Sequence, residues 1–532
     1  MKYIYNFYML ILALSVTGCY DDRGNYDYKE INEFSIVNFN GSTSDYYTCT
    51  LEDEVRLVPE FEFKRFEETD LSYEWFSDDS LISTAKELVF PAKELKKIKE
   101  KQSRSYVKLK ATSNTSGIIQ LKGINVDVTP PYFNGFVVLI RQASGEYNLN
   151  YLRNYWNGEE LTEVKTQQNV YTQQNPGETL GKDVVRLRTH FCYDYSYSDN
   201  VLVVKSDAPY NLDIMGGFLT KNVHTSSYFV NNKLPDNFDP VDEFTLCNYS
   251  YILNKNGMLY SRKKNNNKDF QSGVYMNEPN KLHSPTTLPQ DMEITGVYLS
   301  AFSPNAFAFI YDNKYQRLLV AADDGRILYP FPLTPVKDAP EGFPLLHDLK
   351  GNVLYMGRTS AKRDTDWVIV FKDASGVKLL KLFVGLQIYN GNISLAKLEN
   401  ARVYSLENSV LHPNSMFEQP NRGGDVLFFT GGTDNNILYC YDFTTGKANE
   451  YVVFEHTINT ILCEEYYNTE ARSAENRTIA VGLASGEVKM VDIRYEAQHE
   501  TNKDKRVLHG IPLNNGVIAD IVYKVGFPYY AQ

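Results

Sequence analysis

Cysteine is scarce in this 532-residue chain, and none of the six is arranged as a CxxC pair. That removes zinc-ribbon and thioredoxin-type readings. Lys and Arg, at 54, are outnumbered by 66 Asp and Glu, which leaves a net charge of -12. Nucleic-acid binding needs a basic face to neutralise phosphates, so it is excluded as a role. The one compact basic run, Arg262-Lys263-Lys264 with Lys268, lies among asparagines and reads as a solvated loop. Beyond the first 19 residues no apolar run is long enough to span a bilayer as a helix. HExxH, GxSxG, P-loop and GxGxxG motifs are all missing, and the eight histidines are scattered. His190 reads as a packed or partly exposed side chain. No metal or cofactor is expected, and the chain is expected not to be an enzyme. A glycosidase-like pair of carboxylates drawn from distant parts of the chain would leave no local trace in sequence.

The N-terminus has a clear plan. Lys2 precedes an apolar stretch from Tyr3 to Val16, interrupted by Asn6 and Ser15, which ends in Val16-Thr17-Gly18-Cys19. It is too short for a membrane-spanning helix and reads as a cleaved signal over residues 1–18. Small residues directly before a cysteine resemble a lipobox, so Cys19 is expected to carry the lipid that anchors the mature protein. The alternative is an ordinary secretory signal with a chance cysteine. Asp21 and Asp22 resemble the acidic export signal of surface lipoproteins of Bacteroidetes. A polar, tyrosine-rich tether then fills residues 19–32. Of the remaining cysteines, Cys440 and Cys463 are the one pair worth testing for a disulfide.

With 40 Tyr, the composition leans towards strands. Alternation of apolar and polar residues predicts half-buried strands over Glu33–Phe39, Glu54–Phe63, Leu71–Phe76, Ser105–Thr112 and Gly117–Val128. Tyr73 and Trp75 share one face as a core pair, and Ala92–Lys101 reads as a short helix. Pro130-Pro131 closes the segment. Residues 33–130 therefore read as an immunoglobulin-like β-sandwich.

Residues 131–532 repeat a strand, a tight turn and a strand. Six such hairpins place a glycine at the turn: Gly145, Gly257, Gly325, Gly376, Gly446 and Gly486. A seventh starts at Asn200 with a different turn, and Gly424–Gly432 supplies the strand before the Ile437 hairpin. The pattern predicts a β-propeller of about seven blades, six or eight remaining open, with a run of β-sandwiches as the competing fold. The Arg317 and Trp367 hairpins stand closer together than the others. Val517–Lys524 has no downstream partner and is expected to pair with the first blade and close the ring. Val491-Asp492 resembles the Trp-Asp end of a WD-type blade. Asp323-Asp324-Gly325 reads as a hairpin turn rather than a calcium loop.

Tyr147, Tyr151, Tyr155 and Trp156 close the first hairpin, and Tyr193, Tyr195 and Tyr197 alternate further on. Such rings either fill strand positions between blades or stack on a ligand. Tyr155, Trp156, Tyr193 and Tyr195 are the candidate contacts for a ligand or partner.

The stretch from Cys19 to Ile36, together with Leu71–Phe76 and Val126–Leu139, resembles the PKD-like family of Bacteroidetes lipoproteins. The resemblance covers roughly residues 19–150. It implies an all-β protein, a PKD-like sandwich before a β-propeller. It further implies a lipid-anchored protein on the outer face of the outer membrane, without catalytic residues. The expected partner is a SusC/SusD-type transporter, and the expected ligand is a glycan or peptide. An independent carbohydrate-binding surface protein, or a propeller glycoside hydrolase, is the alternative.

Overall fold

The computed structural model describes residues 32–66, 70–100, 102–132, 135–157, 160–190, 200–205, 212–215, 217–224, 229–246, 248–265, 273–283, 287–299, 307–323, 325, 327–358, 365–389, 392–420, 425–464 and 477–524. Cys19, Asp21, Asp22, Tyr193, Tyr195, Lys268 and the signal segment lie outside these residues. Among the described residues no helix is long and apolar enough to cross a membrane. The fold is all-β and divides into two compact units. One comprises the chain up to Cys49 with Asp53–Asp127, and the other comprises Thr50–Glu52 with Val128 onward.

The first unit is a β-sandwich. Its larger sheet runs in the order Tyr46–Thr50, Ile119–Thr129, Arg104–Ser113, Leu71–Ser77, Ser80–Ser83. Two short ladders pair Phe34–Phe39 with Pro59–Phe63, and Glu54–Leu57 with Leu88–Pro91. The segment 54–63, expected as one strand, is two that belong to different ladders. The break falls at Val58, whose N–H and carbonyl both turn to Asn40, and Pro59 has no N–H to extend the first ladder. The expected helix is a short 3-10 turn, Ala92–Glu94, followed by one helical turn, Lys96–Lys99. Trp75 is fully buried, stacks 5.5 Å from Phe39 and donates its indole N–H to the Ala85 carbonyl.

The second unit is a propeller of seven sheets among the described residues. From the innermost strand outward, blade I comprises Val517–Lys524, Gly135–Arg141, Tyr147–Asn157 and Glu160–Gln167. Blade II comprises Val184–His190, Asn200–Lys205, Leu212–Met215 and Thr220–His224, and blade III Pro240–Thr245, Tyr249–Asn254 and Leu259–Lys263. Blade IV comprises Ile294–Leu299, Phe307–Asp312, Arg317–Ala322 and Ile327–Pro330, with Lys281–Leu282 added in parallel at its outer edge. Blade V comprises Asn352–Arg358, Thr365–Asp373, Gly376–Tyr389 and Asn392–Leu406. Blade VI comprises Phe417–Glu418, Val426–Gly431, Ile437–Asp442 and Lys447–Val453, and blade VII Ile458–Cys463, Thr478–Leu483, Glu487–Asp492 and Val507–Pro512.

Each predicted hairpin falls in its own blade. The uneven spacing has a simple cause. Five hairpins join the second and third strands, whereas those at Arg317 and Ile437 join the third and fourth. The expected closure is present: Val517–Lys524 pairs antiparallel with Gly135–Arg141. The first strands of blades I and II, II and III, IV and V, VI and VII, and VII and I lie against one another and so surround the axis.

Apolar layers fill the spaces between blades. Between IV and V, for example, Phe309 packs edge-on to the buried Trp367 at 4.3 Å. Cys440 and Cys463 lie in the layer between VI and VII as buried thiols and form no disulfide.

The innermost strands share one irregularity. In six blades their register against the next strand slips by one residue near the strand start. The skipped residues are Ala519, Val185, Val241, Thr295, Leu354 and Asn459, on blades I, II, III, IV, V and VII. Such bulges add twist, which the crowded inner end of a blade requires. Val185 and Leu354 stay over 40% exposed although sheet and neighbouring blades flank them, so their exposure is to the axis or its mouth.

Candidate axial site

The residue after each bulge is the starting point of the site. On blades I, II and III it is Asp520, Arg186 and Asp242. Equivalent places in three consecutive innermost strands thus bring an acid, a base and an acid together at one level of the axis. Arg188, two residues beyond Arg186, points the same way because side chains alternate along a strand. On blade IV the equivalent residue is Gly296. A Cβ there would stand 2.8 Å from the Tyr298 hydroxyl, so the glycine lets Tyr298 fold back to this level.

Asp242 is the anchor. Arg188 grips it side-on, Nε to Oδ1 at 2.8 Å and Nη2 to Oδ2 at 2.5 Å. Arg186 adds Nη1 to Oδ2 at 3.1 Å. Burial alone would raise the Asp242 carboxyl, but the Arg188 and Arg186 guanidiniums outweigh it and hold it below the usual carboxylate range. Asp520 faces a different balance. It accepts the Leu187 N–H at 2.8 Å and the Ile521 N–H at 2.9 Å, yet burial pushes its carboxyl up. Burial likewise raises the Tyr298 phenol.

Two carboxyls with protonation tendencies pushed apart resemble an acid and base pair. Here both oxygens of Asp242 already accept from guanidinium groups, which favour its charged form and make it a weak base. The arrangement suits binding and holding better than proton transfer. Among the described residues no three His, Cys, Asp or Glu side chains gather as metal ligands.

The predicted aromatic contacts sit elsewhere. Tyr155 carries the Arg153 guanidinium and the Lys165 ammonium 5.0 and 4.8 Å from its ring centre. Trp156 has Arg477 and Arg494 at 4.9 and 5.3 Å. The chain's own cations therefore occupy these rings; those on Tyr155 come from blade I itself, while Trp156 packs between blades I and VII. Tyr151 is buried edge-on to Tyr132 at 5.1 Å. Asp492, the aspartate of the WD-like pair, is held side-on by Arg494, with 2.6 Å from Nη2 to Oδ2.

The basic run at 262–264 corrects the sequence reading. It is not a solvated loop: Arg262 ends up 3% exposed in strand Leu259–Lys263 and lies 4.7 Å over the Tyr275 ring, and Lys264 is equally buried. Tyr275 in turn donates to Glu243 at 3.0 Å. Asp323 behaves as a turn residue, its carboxylate accepting from the Asn248 and Tyr249 N–H groups at 2.6 and 3.0 Å and tying blade IV to blade III. Asp324 lies outside the described residues.

The axial residues were missed in the sequence. Their one local signal is Arg186 and Arg188, two bases on the same face of strand Val184–His190, alternating with Val185 and Leu187.

Residues 19–183 match the PKD-like family. No curated protein matches the sequence. Over most of its length the chain is similar to a quinoprotein alcohol dehydrogenase-like protein from Bacteroides thetaiotaomicron, with 12% identity, a TM-score of 0.37, and 93% of this chain and 99% of that one covered. It is also similar to YCF48 from Cyanidioschyzon merolae, with 11% identity, a TM-score of 0.34, and 66% and 93% covered. A third similar structure is AztD from Citrobacter koseri, with 10% identity, a TM-score of 0.35, and 79% and 96% covered.

Proposed function

We propose that this chain is a lipid-anchored protein of the outer membrane surface. On this reading it captures a glycan or peptide on its propeller and works beside a SusC/SusD-type transporter, without catalysing a reaction. The observation that carries the binding role is the axial constellation, in which blades I, II and III contribute charged groups locked by hydrogen bonds and blade IV adds the Tyr298 hydroxyl. Preorganised polar groups in a ring lose little entropy when a ligand arrives. Support for the location is the sequence alone: the lipobox ending at Cys19, the acidic pair Asp21 and Asp22, and the PKD-like match beginning at residue 19.

The test is affinity purification of the tagged protein from outer membranes. A TonB-dependent transporter is expected to come with it, and recovery of the protein alone would count against the transporter role. Labelling with radioactive palmitate is expected to mark the wild type and not Cys19→Ala. Recovery alone, combined with retention on polysaccharide gels, would favour an independent carbohydrate-binding protein.

A further inference from the structure

Arg186 and Arg188 address the same carboxylate with different faces. Arg188 spends its side-on fork, Nε and Nη2, on Asp242. Arg186 spends only Nη1, and its own side-on fork is left over. Among the described residues its Nε is buried and makes no hydrogen bond. The side chain is nonetheless 42% accessible, against 19% for Arg188 and 4% for Asp242. This donor pair is fixed by Asp242 and short of an acceptor. Its Nη2 end lies on the accessible part of the side chain while Nε is shielded. A carboxylate that meets Nη2 therefore carries its second oxygen to Nε, as a receptor for two oxygens in a plane requires.

We propose, building on the binding role argued above, that the Nε/Nη2 fork of Arg186 receives a carboxylate of the captured ligand, which is therefore an acidic glycan or an acidic peptide. Charge selects the carboxylate over a dianionic phosphate. Two guanidiniums face Asp242 and Asp520, so the layer has room for one further negative charge at most, and that only when Asp520 holds a proton. Tyr298 brings a hydroxyl back to this level, and among the described residues no hydrogen bond is seen at it, so it is available as a second donor. The bulged residues Val185, Val241, Thr295, Leu354, Asn459 and Ala519 form a collar that carries no charge, through which the carboxylate enters. Buried water-poor surroundings strengthen such a charge-assisted pair.

Calorimetry on the full mature chain in detergent would use two pairs of probes. One pair is oligogalacturonate and its methyl ester; the other is an acidic peptide and its fully amidated counterpart, with Asn and Gln for Asp and Glu and an amide at the C-terminus. One acid is expected to bind at least tenfold more tightly than its neutral partner, and which acid does so identifies the source. Arg186→Lys keeps the charge that neutralises Asp242 but lacks the fork, and is expected to weaken the acid at least tenfold. Val185→Glu, at an exposed bulge, is expected to do the same by repulsion without touching the network. Equal binding of ester or amide, wild-type affinity in both variants, or no binding of either acid would overturn the proposal. A transporter still recovered from membranes in that event leaves the broader function standing and removes only the ligand class.

Discussion

Asn150 and Asn515, 365 positions apart in the chain, face each other amide to amide. Each donates to the other's oxygen, at 2.9 and 3.0 Å, and Asn515 also reaches Asn169 at 3.0 Å. The clasp sits where the chain turns into the closing strand. Gly516 follows at φ 153°, and a Cβ there would come within 2.3 Å of the Arg141 carbonyl. Asn515→Ala strands the buried Asn150 amide and is expected to cost about 1–3 kcal/mol. Urea unfolding followed by tryptophan fluorescence measures it; an unchanged midpoint would show the clasp to be incidental.

Asp242 holds two arginines by direct hydrogen bonds, so its loss leaves both guanidiniums without their bonded partner, with Asp520 as the remaining acid nearby. Asp242→Ala is expected to destabilise by about 3–5 kcal/mol. Arg188→Met added to Asp242→Leu removes the bidentate pair together and should recover part of the loss. Additive losses in the double variant would contradict the pairing.

Burial pushes the Asp323 carboxyl up to about 6. A folded value above the unfolded one means that the native state holds the proton more tightly. The stabilisation from this group is complete below about pH 4 and fades as pH rises to about 6, in accord with linkage. Relative to Asp323→Asn, the wild type should lose at most about 3 kcal/mol between pH 4 and pH 7. Thermal melts of both proteins across that range would show parallel curves if the carboxyl were unperturbed.

Trp156 lies under two guanidiniums, so Trp156→Ala should act on stability. A loss of about 3 kcal/mol is expected, with retention on polysaccharide gels unchanged. Lost retention at unchanged stability would restore the ring to the role of a sugar platform.

Burial also raises the Cys440 thiol to about 12. A thiol reagent at pH 8 should leave Cys440 unmodified in the native protein and label it in urea, because the thiolate is the reacting form. Mass spectrometry of tryptic peptides reads both states, and a Cys440–Cys463 crosslinked peptide would contradict the two separate thiols.

The propeller was legible because six of its seven blades advertise a glycine-turn hairpin. Its numbering was not, because a hairpin of second and third strands looks like one of third and fourth. Arg317 and Ile437 start pairs of the latter kind, which compressed the spacing towards Trp367. The sandwich strand at 54–63 misled for a related reason: alternation continues through Val58 while the hydrogen-bond partner changes. Arg262 and Lys264 read as solvated because their neighbours in sequence are asparagines, whereas Tyr275 and Glu243 are brought to them by the fold. The axial site was the least visible part. Asp520, Arg186 and Asp242 stand on different blades, and only the one-residue slips shared by the inner strands put them at one level. A slip of that kind changes no residue type, so alternation gives no sign of it.

Strand Gly135–Arg141, buried at Phe136, Val137, Val138, Leu139 and Ile140, must wait for Val517–Lys524 before its inner edge is covered. During synthesis that edge is the most apolar ribbon of the first blade and stays open while six further blades are made. The entropy of closing so long a loop grows only logarithmically with its length, so the wait weighs on the route to the native state rather than on its final stability. Pairing between such distant segments makes folding slow and leaves an unpaired strand able to meet another chain. Crowded expression is therefore expected to yield aggregates seeded at residues 135–141.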